Sequence, residues 1–217
     1  MAEKPYNPLD KINLGRSIES ELLGRPPIPL TSCDALQGAG VYAIYYSGDF
    51  KPYEPVRDGK SPIYAGKAIP QGGRKGGIGA DASKGRALAN RLKEHTQSIN
   101  QVGNLNTDDF FVRYLVVDDI WIPLGENILI ERFKPLWNSL IDGFGNHAPG
   151  GGRGNQAKSS WDTLHPGRGF AAKLPDNVRD TARLEKEIAE YLAGRSSAEL
   201  EEDLRRVQDS GNGPEDA

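Results

Sequence analysis

The order strand, strand, helix, strand, helix predicts a mixed α/β (α+β) fold with a small three-stranded sheet flanked by helices. Three observations predict it. The runs "GVYAIYYS" from Gly40 and "PIYA" from Pro62 are short and rich in β-branched and aromatic residues, and "FFVRYLVV" from Phe110 is the clearest strand of the chain. "SKGRALANRLKEHTQSI" puts Leu88, Leu92 and Ile99 on one apolar stripe, as a helix packed on a sheet requires. "PLGENILIERFKPLW" does the same with Ile130, Phe133 and Trp137, and Pro123 suits its start.

Taken in order, the first 37 residues read as an arm with a short helix, "LGRSIESELLG", which the two prolines of "RPPIP" break. The connection between the first two strands carries prolines and "RDGK" and is long for a tight hairpin. "QGGRKGGIG" is too rich in glycine for regular structure and reads as a mobile basic loop. From Ile141 the run "IDGFGNHAPGGGRGNQAKSSWDTLHPGRGFAAKLPDN" has neither helical nor strand period and reads as a working loop or disorder, with Trp161 as a packing anchor. Helical patterning returns in "VRDTARLEKEIAEYLAG", with Leu184, Ile188 and Leu192 on one stripe, and in "SAELEEDLRRVQ", before a frayed tail. All 217 residues fit one domain with decorated ends.

The formal net charge of -3 hides a segregation. Between Arg57 and His95 nine Lys or Arg face three acids, whereas from Asp176 onward twelve acids face six bases. A cationic face for phosphates is compatible with a modest total. Cys33 is the single cysteine, which excludes an intrachain disulfide or a cysteine metal cluster and fits a reducing cytosol. The N-terminus "MAEKPYNPLDK" has no apolar signal segment, and no stretch is long enough to cross a bilayer. A soluble cytoplasmic protein without a membrane partner is expected.

Several polar residues each have an ordinary account. Arg91 and His95, four apart on the first core helix, share a face at the border of core and solvent. Glu126 falls in the first turn of the second core helix, where the helix end favours an acid. Asn138 is a common kind of helix terminator. With Tyr42 and Tyr64 on the first two strands they form an inventory of two phenols, a guanidinium, an imidazole, a carboxylate and a carboxamide. That set suits phosphodiester hydrolysis better than acyl transfer. No serine lies in a nucleophile elbow, and no phosphate-loop Gly-Lys-Ser occurs.

"GVY" at Gly40–Tyr42 and "IYAG" at Ile63–Gly66 resemble the two motifs that name the GIY-YIG nuclease superfamily. Arg91 and His95 in "RLKEH", Glu126 in "ENILIERFKPLWN" and Asn138 twelve residues later match further elements in order. The resemblance covers residues 38–138. The surrounding sequence resembles the type II restriction endonucleases of this class that cut the palindrome CCGCGG. That likeness extends to the basic insertion before the first helix and to "GFGNHAPGGGRGNQAKSSWDTLHPGR". Valine stands for the first isoleucine, and alanine for the second motif's isoleucine or valine; neither change removes a reactive group.

The resemblance implies a mainly antiparallel sheet and hydrolysis of both strands of double-stranded DNA by a prokaryotic homodimer, with a DNA methyltransferase protecting the host's own sites. It implies one Mg2+ per active site on Glu126, with Mn2+ as a substitute. Tyr42 would take the proton of the attacking water with His95 assisting, or His95 would be the base and Tyr42 the orienting group. Arg91 would brace the phosphate, Tyr64 would orient water or phosphate, and Asn138 would fix the glutamate and the helix end. Residues 141–177 would read DNA and residues 178–206 would form C-terminal helices. Arg153, Lys158 and Arg168, with Asn155, Gln156 and His165, are candidates for base or phosphate contacts, and Arg74, Lys75, Lys84 and Arg86 for backbone clamps. The alternatives are a structure- or site-specific nuclease of repair or a mobile element, and a DNA-binding module without catalysis.

Overall fold

The computed structural model describes residues 10–69, 83–146 and 156–194. Helix α1 (Lys11–Gly24) leads into a two-residue strand, β1 (Ile28–Pro29). Strands β2 (Gly40–Tyr46) and β3 (Tyr64–Ala68) precede helix α2 (Ala87–Asn100), and strand β4 (Phe110–Val116) precedes helix α3 (Ile122–Phe133). Two short helices, α4 (Leu136–Ser139) and α5 (Ser160–Leu164), and a helix over residues 181–194, α6, follow.

The fold class agrees with the sequence, but the sheet has four strands, ordered β1-β4-β2-β3 and antiparallel throughout. The missed strand is β1. Its prolines do end the helix, yet the chain then runs extended and pairs Ile28 with Val112 and Pro29 with Phe111. Proline is tolerated there because an edge strand leaves one row of backbone donors unpaired.

The predicted continuous helix from Pro123 to Trp137 is also corrected. Pro135 disfavours helical backbone at the residue before it. Lys134 accordingly turns left-handed, with φ 41°, and ends α3. Trp137 therefore belongs to α4, whose direction lets it seal the free edge of β3. The Trp137 amide donates to the Ile63 carbonyl at 2.9 Å.

Strand alternation sorts the sheet into two faces. Tyr42, Ile44 and Tyr46 of β2, Ala68 of β3, and Phe110 and Val112 of β4 share one buried cluster with Leu88, Leu92 and Ile99 of α2, Trp137, Trp161 and the α6 stripe Leu184, Ile188 and Leu192. Val41, Ala43, Tyr45, Ala65 and Leu115 face the other way, against Leu22 of α1 and Ile122 and Leu129 of α3. The segment after Ile141, read from sequence as a working loop or disorder, contributes Phe144, Trp161 and Leu164 to the first cluster, with Trp161 fully buried. The basic loop, "SAELEEDLRRVQ" and the tail lie outside the described residues.

Candidate active site

Tyr42 and Tyr64 project from the same sheet face, since Tyr42 pairs with Gly66 and Tyr64 with Ile44 across the β2–β3 ladder. Their rings lie 6.4 Å apart. From α2, one turn separates Arg91 from His95, so both reach down onto these rings. His95 Nε2 is 2.7 Å from the Tyr42 hydroxyl, and its ring meets Tyr64 edge-on at 5.2 Å. The Arg91 guanidinium lies close enough to act electrostatically on both phenols. It also donates to Glu94 Oε2 at 2.7 Å and to the Gly145 carbonyl at 3.2 Å.

Electrostatics set the resting state of this group. Burial pushes the Tyr42 phenol well above its ordinary range, with the neighbouring Tyr64 and Glu126 adding to the rise and Arg91 opposing it. Tyr64 is raised for the same leading reason. The Arg91 guanidinium is held charged by the two phenols and Glu94 against the effect of its own burial. Tyr42 thus rests protonated, beside a cation that stabilises negative charge arriving from outside.

Glu126 approaches from the opposite face. The helix begins at Ile122, so Glu126 sits beyond the first turn, and helix-end stabilisation does not account for it. Its partner is instead Lys67 of β3, whose Nζ donates to Glu126 Oε2 at 2.5 Å. Lys67 is a site residue that sequence reasoning missed. Period-two alternation places it on the α3 side of the edge strand, but only the crossing of α3 over β3 shows that its target is a carboxylate. The phenols on one face feel the Glu126 charge on the other because β3 is the sheet edge, and Gly66 on it carries no side chain. A Cβ at Gly66 would lie 2.5 Å from the Tyr42 hydroxyl.

Asn138 departs from its expected role. Its Oδ1 accepts from the Ala65 amide and its Nδ2 donates to the Ala65 carbonyl, both at 2.8 Å. It imitates a neighbouring strand and pins the β3 edge, and so holds the peptide between Tyr64 and Gly66 rather than Glu126. Tyr42, Tyr64, Arg91 and His95 are therefore brought into one cluster, with Glu126 near enough to act on it and Asn138 supporting its backbone. A cleft of about 150 Å³ opens beside them, lined by Arg91, His95, Gln97, Gln101, Phe144 and Asn146.

The expected DNA contacts divide. Lys84, Arg86 and Gln156 are exposed, and Arg86 donates to the Asp34 carbonyl at 2.5 Å. Lys158 is half-buried and donates to Asp176 at 2.7 Å. His165 and Arg168 are corrected: both are buried, at 0% and 1% exposure, and their polar atoms are engaged inside the protein. A base edge cannot reach groups so enclosed. Arg74, Lys75, Arg153 and Asn155 lie outside the described residues.

Among the described residues no group of three His, Cys, Asp or Glu could hold a metal ion. The donor set nevertheless suits a hard divalent cation that keeps most of its waters, because such an ion needs one carboxylate plus phosphate oxygens. Glu126, with 17% of its side chain exposed, is the carboxylate at this site that could hold such an ion. Among the described residues no helix is long and apolar enough to cross a membrane.

A family model described as the Eco29kI GIY-YIG domain matches residues 34–192, which includes every residue of this cluster. No curated protein matches the chain.

Proposed function

Because the chain belongs to the Eco29kI GIY-YIG domain family of nuclease domains, we propose that it is a type II restriction endonuclease. It hydrolyses both strands of double-stranded DNA at a G/C-rich palindrome, CCGCGG. The observation that carries the reading is the convergence of Tyr42, His95, Arg91 and Tyr64 on one sheet face, with the Glu126 charge felt across the sheet edge. A two-fold symmetric target calls for two symmetric sites, which a homodimer supplies. The host then needs a DNA methyltransferase for its own sites.

Each residue has a task that follows from its position. Arg91 meets the non-bridging oxygens of the scissile phosphate in a planar fork, which lysine cannot reproduce. Tyr64 orients the phosphate or the attacking water. Tyr42 relays a proton: its oxygen accepts from the water while its own hydrogen passes to His95 Nε2, 2.7 Å away. The relay combines the two roles considered for this pair. A buried phenol is a poor resting base, and transfer to the imidazole spares the site a free phenolate. Glu126 would hold Mg2+, or Mn2+ in its place, and a cation bound there offsets charge on the phosphate and the leaving oxygen. Lys67 competes for the same carboxylate and keeps it compensated beforehand. Lys84, Arg86, Lys158 and Gln156 are assigned to the DNA backbone.

The test is cleavage of a plasmid of known sequence by purified protein with magnesium, with the ends mapped. Discrete double-strand breaks at one palindrome are expected. Cuts that depend on a junction or flap would instead favour a structure-specific nuclease. Glu126→Ala should bind DNA within a few-fold of the unsubstituted protein and cut roughly 10³-fold more slowly. An unchanged cutting rate would remove Glu126 from the mechanism.

A further inference from the structure

Arg168 lies outside the cluster just described, and its burial is unusual for a guanidinium. Each of its five N–H donors has a partner. Nε donates to Asp162 Oδ1 at 2.6 Å, and Nη2 to Asp162 Oδ2 at 2.7 Å and the Gly143 carbonyl at 2.8 Å. Nη1 donates to the carbonyls of Phe144 and Asn146, both at 3.2 Å. Asp162 is in turn fixed by Ser159 Oγ at 2.6 Å, at the start of α5. One side chain thus ties together the turn at residues 143–146 through three carbonyls.

That turn touches the reacting cluster at three points. Phe144 lies flat on His95, with centroids 4.4 Å apart and planes at 13°, and meets Tyr64 edge-on at 5.1 Å. The Gly145 carbonyl accepts from Arg91 at 3.2 Å. A Cβ at Gly145 would stand 2.8 Å from Arg91 Nη2 and 3.1 Å from the Tyr64 hydroxyl, so the backbone approaches the cluster as closely as a chain can.

We propose that Arg168 is a positioning residue: by holding the 143–146 turn, it sets the Phe144 ring against His95 and the Gly145 carbonyl against Arg91. The proposal rests on the nuclease reading above for what those two residues do. A guanidinium is required because a lysine ammonium has three donors and no fork, and leaves carbonyls of the turn unpaired. The segment expected to read DNA therefore acts, in part, on the chemistry.

The test compares Arg168→Lys with Tyr53→Phe, a change in the same aromatic core that leaves the turn's bonds in place. Cleavage kinetics, DNA affinity and the NMR signals of the His95 ring are measured on each full-length protein. Arg168→Lys should lower kcat roughly 10²-fold, the scale of a displacement of about 1 Å, with KM within about twofold. The His95 ring signals should move as the stacked Phe144 leaves. Tyr53→Phe should lose stability while keeping both the rate and the His95 signals.

A folded Arg168→Lys protein with unchanged kcat and unchanged His95 signals would overturn the proposal, as would an equal loss of rate in Tyr53→Phe. If Arg168→Lys does not fold, Phe144→Leu replaces it, since this change keeps the Arg168 bonds and removes only the stacked ring. It should shift the His95 signals and slow kcat about 10-fold, and no change in either would equally overturn the idea. If the unsubstituted protein fails to cut DNA at all, the nuclease reading falls, while the His95 signals still decide whether Arg168 positions that ring.

Discussion

Two tyrosine–histidine pairs lie within one core, and their surroundings differ more than their chemistry. In the first, Tyr42 meets His95 at 2.7 Å; in the second, Tyr53 meets His165 at 2.5 Å. All four residues are buried. The second pair is closed on itself. The Trp137 indole N–H donates to the Tyr53 oxygen at 2.9 Å, and His165 Nδ1 lies 2.9 Å from Asn104 Oδ1, which can only accept. Tyr53 must then donate to Nε2, and Asn104 completes the chain by donating to the Leu164 carbonyl at 3.0 Å. The first pair faces charged groups instead: Arg91 and Glu126 both act on its phenol, and Gly66 presents no side chain to its hydroxyl. A phenol beside an imidazole is a strut where its partners close around it, and the pair proposed as a relay differs in the charged groups beyond it.

Matched substitutions should separate the two with the largest effect. Tyr42→Phe removes the hydroxyl proposed to accept and pass the proton, so cleavage should fall by roughly 10³-fold, within the range of acid–base contributions, with a stability loss of about 1 kcal/mol for the buried hydrogen bond to His95. Tyr53→Phe leaves a buried imidazole nitrogen and a buried indole N–H unpaired, which costs about 1–3 kcal/mol of stability. Its cleavage rate should not change. Plasmid cleavage and urea unfolding of both proteins check this, and a reversed pattern would exchange the roles assigned to the pairs. Next in size is Arg91→Lys, which keeps the charge and loses the fork. Cleavage should fall roughly 10²-fold while the unfolding midpoint stays within the scatter of the unsubstituted protein.

The cluster around Tyr42 and His95 was legible in the sequence and the strut was not, for a physical reason. Tyr42, Tyr64, Arg91 and His95 each sit on an element with a clear period, so their faces follow from spacing once strand and helix are assigned. Glu126 was legible as a residue but not in its setting, because its partner Lys67 comes from a strand 59 residues away and meets it only where α3 crosses the sheet edge. His165 and Arg168 lie in a segment without period. Composition there signals exposure and cation chemistry, and the enclosing contacts come from Tyr53, Asn104 and the 143–146 turn, all distant in the chain. The short strand β1 was hidden similarly, since proline reads as a breaker until an edge is available to receive it.

Acid should expose the same difference with the smallest effect. Burial, reinforced by the nearby Arg168 cation, pushes the His165 imidazole down to about 3 from an ordinary 6.5. A lowered pKa means that the unfolded chain binds a proton between those values while the folded protein does not. The contribution is therefore complete above about pH 6.5 and declines as pH falls toward 3, by at most about 1.4 kcal/mol per pH unit. Urea unfolding between pH 5 and 7 reads this window above the range in which ordinary carboxylates titrate. The fall in stability should shrink in His165→Gln, although that protein is less stable throughout, because the replacement has no proton to take up. Tyr42→Phe should keep the full acid slope, since its change lies in the other pair. An equal slope in His165→Gln and the unsubstituted protein would show that acid acts elsewhere, and that the closed pair does not owe its stability to an imidazole held neutral.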